Sequence, residues 1–117
     1  MRLVYSSSAS PSLAPGDVAR IGEQSARNNL VHGLTGLLVH HRENFFSVLE
    51  GPRRRVFARM ELIATDSRHH GLHILREDAV STRRFLNWHF TRLPDGATRP
   101  GEATISADFI RSLSLRL

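Results

Sequence analysis

Residues 25–50 read SARNNLVHGLTGLLVHHRENFFSVLE, and this stretch decides the fold. Gly33 provides the break that ends a helix. Two apolar runs follow it, residues 34–41 and 44–50, and the polar turn between them is short enough to pair them as a β-hairpin. The rest of the fold can be worked out from this hairpin and the helix before it.

The helix before the hairpin changes character along its length. Asp17 is a plausible N-cap, and the apolar spacing becomes helical from Val18. The stripe that faces inward starts with aliphatic residues and ends with polar ones, as the series Val18, Ile21, Ser25 and Asn29 shows. Buried amides require partners, because an unpaired one costs about 1 to 3 kcal/mol. This pattern predicts a small polar hollow in the fold, which something must fill.

The remaining segments predict two helices and five strands in the order βαββαββ. Strands are expected at residues 2–6, 72–76 and 88–92, and the second helix at residues 52–65. That helix should bury Val56, Met60 and Ile63 and turn Arg53, Arg54, Arg55 and Arg59 outward. Residues 66–71 read as a loop, and residues 107–113 as a final helical turn or two. The economical packing is an α+β ferredoxin-like sandwich, a mixed sheet with two helices on one face.

Composition excludes several classes of protein. The 117 residues suit one domain and include no cysteine, which removes disulfides, thiolate metal sites and thiol nucleophiles. No apolar run could cross a bilayer and no secretory signal is present, so we expect a cytoplasmic protein. All sixteen basic residues are arginine and the net charge is +5. A GC-rich coding bias explains this basicity most simply, and polyanion binding is the alternative.

Several motifs, taken together, resemble the BLUF family, the blue-light sensors that use flavin. They are RLVYS at residues 2–6, ARNN followed by GLTGLL, FFSVLEGP at residues 45–52, DSRH at residues 66–69, and RRFLNWHF at residues 83–90. They occur in the family's order and approximate spacing. The resemblance divides the chain into a flavin-binding domain, residues 1–92, and a C-terminal extension, residues 93–117, of loop and short helix.

The resemblance implies a flavin, usually FAD, with its ring between the two helices; FMN and riboflavin carry the same ring. Tyr5 matches the photoactive tyrosine, Asn29 the asparagine that bonds the ring edge, and Trp88 a tryptophan that responds to light. The other implied contacts are Ser25 and Asn28 beside the ring, Leu38 and Phe45 as apolar walls, Arg68 and His69 on the ribityl and phosphate side, and Phe90 where many members have methionine.

Ser47 is the main departure from the family pattern. The family has a glutamine there, whose amide rearranges after light drives electron and proton transfer from the tyrosine, and the flavin absorption then shifts to the red. Serine offers one hydroxyl on a single carbon, so it cannot span the same gap as a glutamine amide. The sequence therefore predicts flavin binding with an impaired or altered photocycle. The alternative is a light-insensitive interaction or oligomerisation module, with or without flavin.

Simpler interpretations stay open at this point. Tyr5 and Trp88 could be core residues, and Asn28 and Asn29 could cap the helix. The histidines lack the cysteine or carboxylate neighbours of a metal site, and the Arg53–Arg55 run lacks interleaved aromatic residues for nucleic acid. No catalytic motif, catalytic residue or metal ligand stands out. We expect a protein that acts through a protein partner and forms a homo-oligomer, without nucleic acid or membrane.

Overall fold

A computed structural model describes residues 1–93 of the chain. The elements in chain order are β1 (Arg2–Ala9), α1 (Pro15–Val31), β2 (Thr35–His41), β3 (Asn44–Glu50), α2 (Arg53–Ala64), β4 (His69–Asp78) and β5 (Trp88–Leu93). The five strands form one sheet in the order β4-β1-β3-β2-β5. All neighbouring strands are antiparallel except β2 and β5, which are parallel. The predicted α+β class, with a mixed sheet and two helices, is confirmed.

One row of residues crosses the whole sheet at the level of Ser47. The strand register places five residues side by side from one edge to the other: Ile74, Tyr5, Ser47, Leu38 and Phe90. The next row joins Leu3, Leu49, Gly36 and Trp88. The hairpin predicted from residues 34–50 thus brings together residues that lie far apart in the sequence.

The sheet has two faces with separate apolar clusters. On the first face, here called the helix face, Leu3, Tyr5 and Leu49 pack with Val56 and Met60 of α2. Leu38 and Phe45 of the same face pack with Val18 of α1. On the opposite face, here called the far face, Val4, Val39, Phe46 and Val48 form their own cluster. This division follows from strand alternation.

Glu50 forms a buried polar junction at the end of β3. Its carboxylate is fully buried and accepts hydrogen bonds from Arg2 Nε at 3.0 Å and from the backbone N–H of Arg84 and Phe85, at 2.9 and 2.6 Å. Arg2 Nη2 completes an ion pair at 3.0 Å. Four donors therefore compensate one buried charge, and together they fix the segment before β5 to the first strand.

Four details of the secondary structure differ from the predictions. α1 begins at Pro15, so Asp17 is not the N-cap; it lies inside the first turn and accepts the Ala14 N–H at 2.8 Å. β1 continues to Ala9, and β4 starts at His69 in the predicted loop. Gly71 has a φ of 64°, and the pairing of β1 with β4 shifts between Ser6 and Ser8. The glycine that suggested a loop belongs to an irregular strand instead.

The predicted helical turn at residues 107–113 lies outside the described residues. The C-terminal extension does as well, apart from residue 93, which ends β5.

Candidate functional site

A cleft opens between the two helices and the helix face of the sheet. It encloses about 120 Å³, or about 720 Å³ when the open space at its mouth is included. Each strand of the sheet contributes at least one side chain to its lining. Its lining consists of Tyr5, Ser7, Ile21, Gln24, Ser25, Asn28, Asn29, Leu38, Phe45, Leu49, Arg59, Leu62, Ile63, Asp66, Arg68, His69 and Trp88.

The structure brings most of the residues selected from the sequence into this one cleft. Those that line it are Tyr5, Ser25, Asn28, Asn29, Leu38, Phe45, Arg68, His69 and Trp88. Ser47 and Phe90 are not part of the lining that the described residues form. Both lie in the same sheet row as Tyr5 and Leu38, with Ser47 between these two lining residues and Phe90 beside Leu38.

Four buried polar atoms in the lining have no hydrogen-bond partner. They are Ser7 Oγ, Asn29 Oδ1, Arg59 Nε and Trp88 Nε1. Asn29 is only 3% exposed. Most buried polar atoms in proteins are paired, so four unpaired ones around the same space indicate a polar ligand. Apolar side chains, among them Ile21, Leu38, Phe45 and Ile63, provide the rest of the wall.

The helix-capping interpretation of the two asparagines does not hold. α1 continues through both residues, and its C-cap is His32. Gly33, with a φ of 72°, takes the left-handed conformation that an asparagine cap would require. The Asn29 backbone carbonyl accepts the Leu34 N–H at 2.7 Å, while the side-chain oxygen stays unpaired at the cleft.

Tyr5 and Ser47 form a short hydrogen-bond chain behind the cleft. Ser47 is fully buried, and its hydroxyl donates to the backbone carbonyl of Leu37 at 2.9 Å. Ser47 also hydrogen-bonds with Tyr5. The Ser47 hydroxyl proton therefore points to the backbone of β2 and not to the cleft.

The environment of Tyr5 keeps its phenol protonated. Burial raises the pKa of Tyr5 to about 12, and the negative charge of Asp66 adds to the rise. The hydrogen bond with Ser47 and the positive charge of Arg59 both act in the opposite direction. Tyr5 is therefore a neutral hydrogen-bond donor at neutral pH.

Arg68 joins the two sides of the cleft mouth. Its guanidinium donates to both carboxylate oxygens of Asp66, with the shortest distance 2.7 Å, and to Gln24 Oε1 on α1, also at 2.7 Å. The hydrogen bonds from Arg68 hold the pKa of Asp66 below its usual range. His69 is anchored nearby, with Nε2 at 2.6 Å from the Ile63 carbonyl. Both side chains thus frame the mouth and have protein partners there.

The predicted orientation of Arg59 is wrong. The sequence suggested that Arg59 points outward with Arg53, Arg54 and Arg55, which are indeed exposed. Arg59 instead is partly buried and lines the cleft. The helix spacing explains this placement, because residue 59 lies three positions after Val56 and four before Ile63, on the inner side of α2. The spacing was overlooked because arginine is usually exposed.

Two glycines shape the wall around Trp88 and Phe90. A Cβ at Gly36 would lie 3.3 Å from the Trp88 ring and would collide with the Val48 carbonyl. A Cβ on Gly22 of α1 would come within 2.6 Å of the Phe90 ring. Phe90 therefore packs directly on the backbone of α1, in the space that the missing side chain leaves.

This cleft suits a flat ring system with a polar edge. Apolar side chains can contact the faces of such a ring, and the unpaired amide, hydroxyl, guanidinium and indole atoms can bond its edge. The residues present therefore fit a flavin. No three histidine, aspartate or glutamate side chains in residues 1–93 come together as a metal site.

Comparison with protein families agrees with this geometry. Residues 1–91 match the family model described as "Sensors of blue-light using FAD". The chain belongs to the BLUF family. BLUF domains bind flavin, which is the ring system that the cleft suits.

Solved structures of BLUF proteins resemble this chain closely. The dark-state structure of the BLUF protein BlrB has a TM-score of 0.78 and 25% identity, over 99% of this chain and 96% of BlrB. A bacterial light-regulated adenylyl cyclase also gives 0.78, with 29% identity over 98% of this chain. Klebsiella pneumoniae BlrP1 with FMN and cyclic diGMP gives 0.73 and 26% identity over 91% of the chain.

This BLUF chain spans only 34% of the cyclase and 28% of BlrP1.

A search of curated proteins found no match. No helix within residues 1–93 combines the length and apolar composition that a bilayer crossing requires.

Proposed function

We propose that this BLUF domain holds FAD in the cleft between α1 and α2 and that its response to blue light is impaired or altered. The observation that carries the proposal is the group of four unpaired polar atoms around an apolar-walled cleft. The bound flavin supplies the absorption of blue light. The protein contributes binding, orientation and the hydrogen bonds around the ring.

The cleft residues have separate roles in this proposal. Asn29 bonds the polar ring edge, because its side-chain oxygen is buried and unpaired. Ser25 and Asn28 line the ring from the same helix, and Leu38 and Phe45 contact its apolar faces. At the mouth, Arg68 and His69 are the residues closest to the ribityl and phosphate side. Arg68 would exchange its bond with Gln24 for a phosphate oxygen.

Ser47 is the reason to expect a changed light response. Its hydroxyl proton is donated to the Leu37 carbonyl, so it is not available to a ligand in the cleft. A glutamine at this position would place an amide several bonds further from the strand, within reach of the cleft. Trp88 lies in the row next to that of Ser47 on the same face, and its Nε1 is unpaired. In this proposal Trp88 Nε1 donates a hydrogen bond to the ring.

The substitution Ser47→Gln tests this assignment. We expect the variant to gain or enlarge a light-induced red shift of bound FAD, because the amide restores a path from Tyr5 to the ring. The measurement is a difference spectrum between the dark and the blue-lit protein. Ser47→Ala is the matched control, and it should respond no more strongly than the wild type. A full red shift in the wild type, unchanged in Ser47→Gln, would contradict the proposal.

Output from the domain would pass through protein contacts, and no catalytic step of its own is needed. Exposed apolar residues at the end of α1, Leu30 and Val31, which are 50% and 80% exposed, support a partner surface or a homo-oligomer. We place this activity in the cytoplasm. An alternative function is a light-insensitive interaction module. The hydrogen bond from Ser47 to the Leu37 carbonyl favours this alternative. A purified protein that is colourless and takes up no FAD would support that alternative in its flavin-free form.

A further inference from the structure

We infer that Arg59 is a binding residue of the flavin site and that it favours the reduced, negatively charged form of the ring over the oxidised, neutral form. This inference rests on the proposed function. It concerns a residue that the family resemblance did not select. It also means that the site contains a positive charge beside the ring.

Arg59 is a cation without a counter-ion in the part of the chain that the structure describes. The ion pairs found there join Arg2 with Glu50, Arg20 with Asp17, Arg68 with Asp66 and Arg76 with Asp78. Arg59 takes part in none of them, and its Nε is buried without a hydrogen-bond partner. Burial of a polar atom of a charged group is costly unless that atom has a partner. A ligand that carries negative charge in the cleft would provide the missing partner.

The position of Arg59 points to the ring and away from the phosphate groups. Arg59 lies on the inner side of α2, five residues before the helix ends, which is roughly 8 Å along the helix axis. Arg68 and His69, which frame the mouth, follow the end of that helix. Arg59 also acts electrostatically on Tyr5, at the wall of the cleft. The guanidinium is therefore near the inner part of the cleft, where a ring would lie.

Flavin chemistry connects this cation to a measurable property. Two electrons and one proton convert the neutral oxidised ring into the singly negative reduced ring. A fixed positive charge beside the ring stabilises the product of that conversion more than the starting form. Removal of the charge should therefore change the reduction potential of the bound flavin.

The experiment is a spectroelectrochemical titration of the protein loaded with FAD, in which the electrode supplies the electrons and the buffer the proton. Arg59→Leu should lower the midpoint potential by about 30 mV, equivalent to a tenfold loss in the preference for the reduced ring. Arg59→Lys should retain most of the potential. Arg55→Leu is the matched control, because it removes the same charge from an exposed position on the same helix, and it should match the wild type.

Four further results decide between the inference and its alternatives. An unchanged potential in Arg59→Leu, or equal weakening of oxidised and reduced FAD, would overturn it while leaving flavin binding intact. If Arg59→Leu fails to fold, Arg59→Gln removes the charge with a polar side chain and should show the same loss. The same loss with riboflavin, FMN and FAD supports a ring contact, and a loss confined to FMN and FAD would place Arg59 at the phosphate and overturn the assignment. A wild-type protein that binds no flavin would instead refute the proposed function.

Discussion

The Glu50 junction and the cleft treat buried polar groups in opposite ways. On the far face, the Glu50 carboxylate receives hydrogen bonds from Arg2 and from the backbone of Arg84 and Phe85. On the helix face, the Asn29 oxygen and the Trp88 indole N–H have no partner. The same chain can satisfy a buried charge completely, so its unsatisfied groups do not reflect poor packing in general. The comparison teaches that the polar groups around Glu50 stabilise the fold, while the unpaired polar groups of the cleft are available to a ligand.

The strongest test of the far face is Glu50→Ala. Removal of the carboxylate leaves the Arg2 charge and two backbone N–H groups buried without their partner, so the free energy of unfolding should fall by about 3 to 5 kcal/mol. Urea denaturation of the unliganded protein measures this change. Glu43→Ala removes an exposed carboxylate from the β2–β3 turn and should have little effect. Equal urea midpoints for the two variants would show that the Glu50 carboxylate does not stabilise the fold.

A second, smaller effect concerns Tyr5 on the helix face. Its folded pKa of about 12 lies above the ordinary value of about 10, so the folded state holds the phenolic proton more tightly than the unfolded state. The stability linked to this proton is fully present below about pH 10 and is lost as the pH rises toward 12. The total loss should be about 3 kcal/mol.

The composition makes the Tyr5 measurement clean. The chain has one tyrosine, no lysine and no cysteine, so no other side chain titrates between about pH 9 and pH 12. Tyrosinate absorbance should report a midpoint near 12 for the folded protein and near 10 in denaturant. Tyr5→Phe should flatten the stability profile over this range. A folded-state midpoint near 10 would show that the phenol is not shielded by its strand neighbours.

The smallest expected effect comes from Asn29→Ala. Loss of a side-chain oxygen that has no protein partner should change the stability of the unliganded protein by less than about 1 kcal/mol. The affinity for FAD should fall by roughly tenfold, because about 1 kcal/mol or more of hydrogen bonding to the ligand is lost. Fluorescence titration with FAD measures the affinity, and Asn87→Ala, at an exposed position, serves as the control. A large loss of stability with unchanged affinity would make Asn29 a structural residue like Glu50.

Much of the fold could be predicted because local chemistry and tertiary packing agree. β3 was predicted over residues 44–50 and is observed there, since its alternating side chains and the flanking glycine and proline leave little choice. β4 was predicted too short, because Gly71 indicates a turn when only neighbouring residues are considered. Its pairing with β1 overrides that local preference. Pairing with a strand distant in the sequence cannot be predicted from the residues of one segment alone.

The site could be predicted in outline, but some of its chemistry depends on three-dimensional contacts. Asn29 was found because polar residues interrupt an aliphatic stripe. Arg59 was missed because arginine usually points to solvent, although its helical position is an inner one. The hydrogen bond from Ser47 to Leu37 depends on a side-chain rotamer and a neighbouring strand, and neither can be read from the sequence.

The position of Ser47 in the sheet has a mechanical consequence. Ser47 belongs to the middle strand of five, so both edge strands are two spacings away, or roughly 10 Å at about 4.8 Å per strand. The row through Ser47 ends at Ile74 on one margin and at Phe90 on the other. The short serine side chain at the centre of this row cannot transmit a movement to either edge strand. A longer side chain there would press on both halves of the sheet from their common centre.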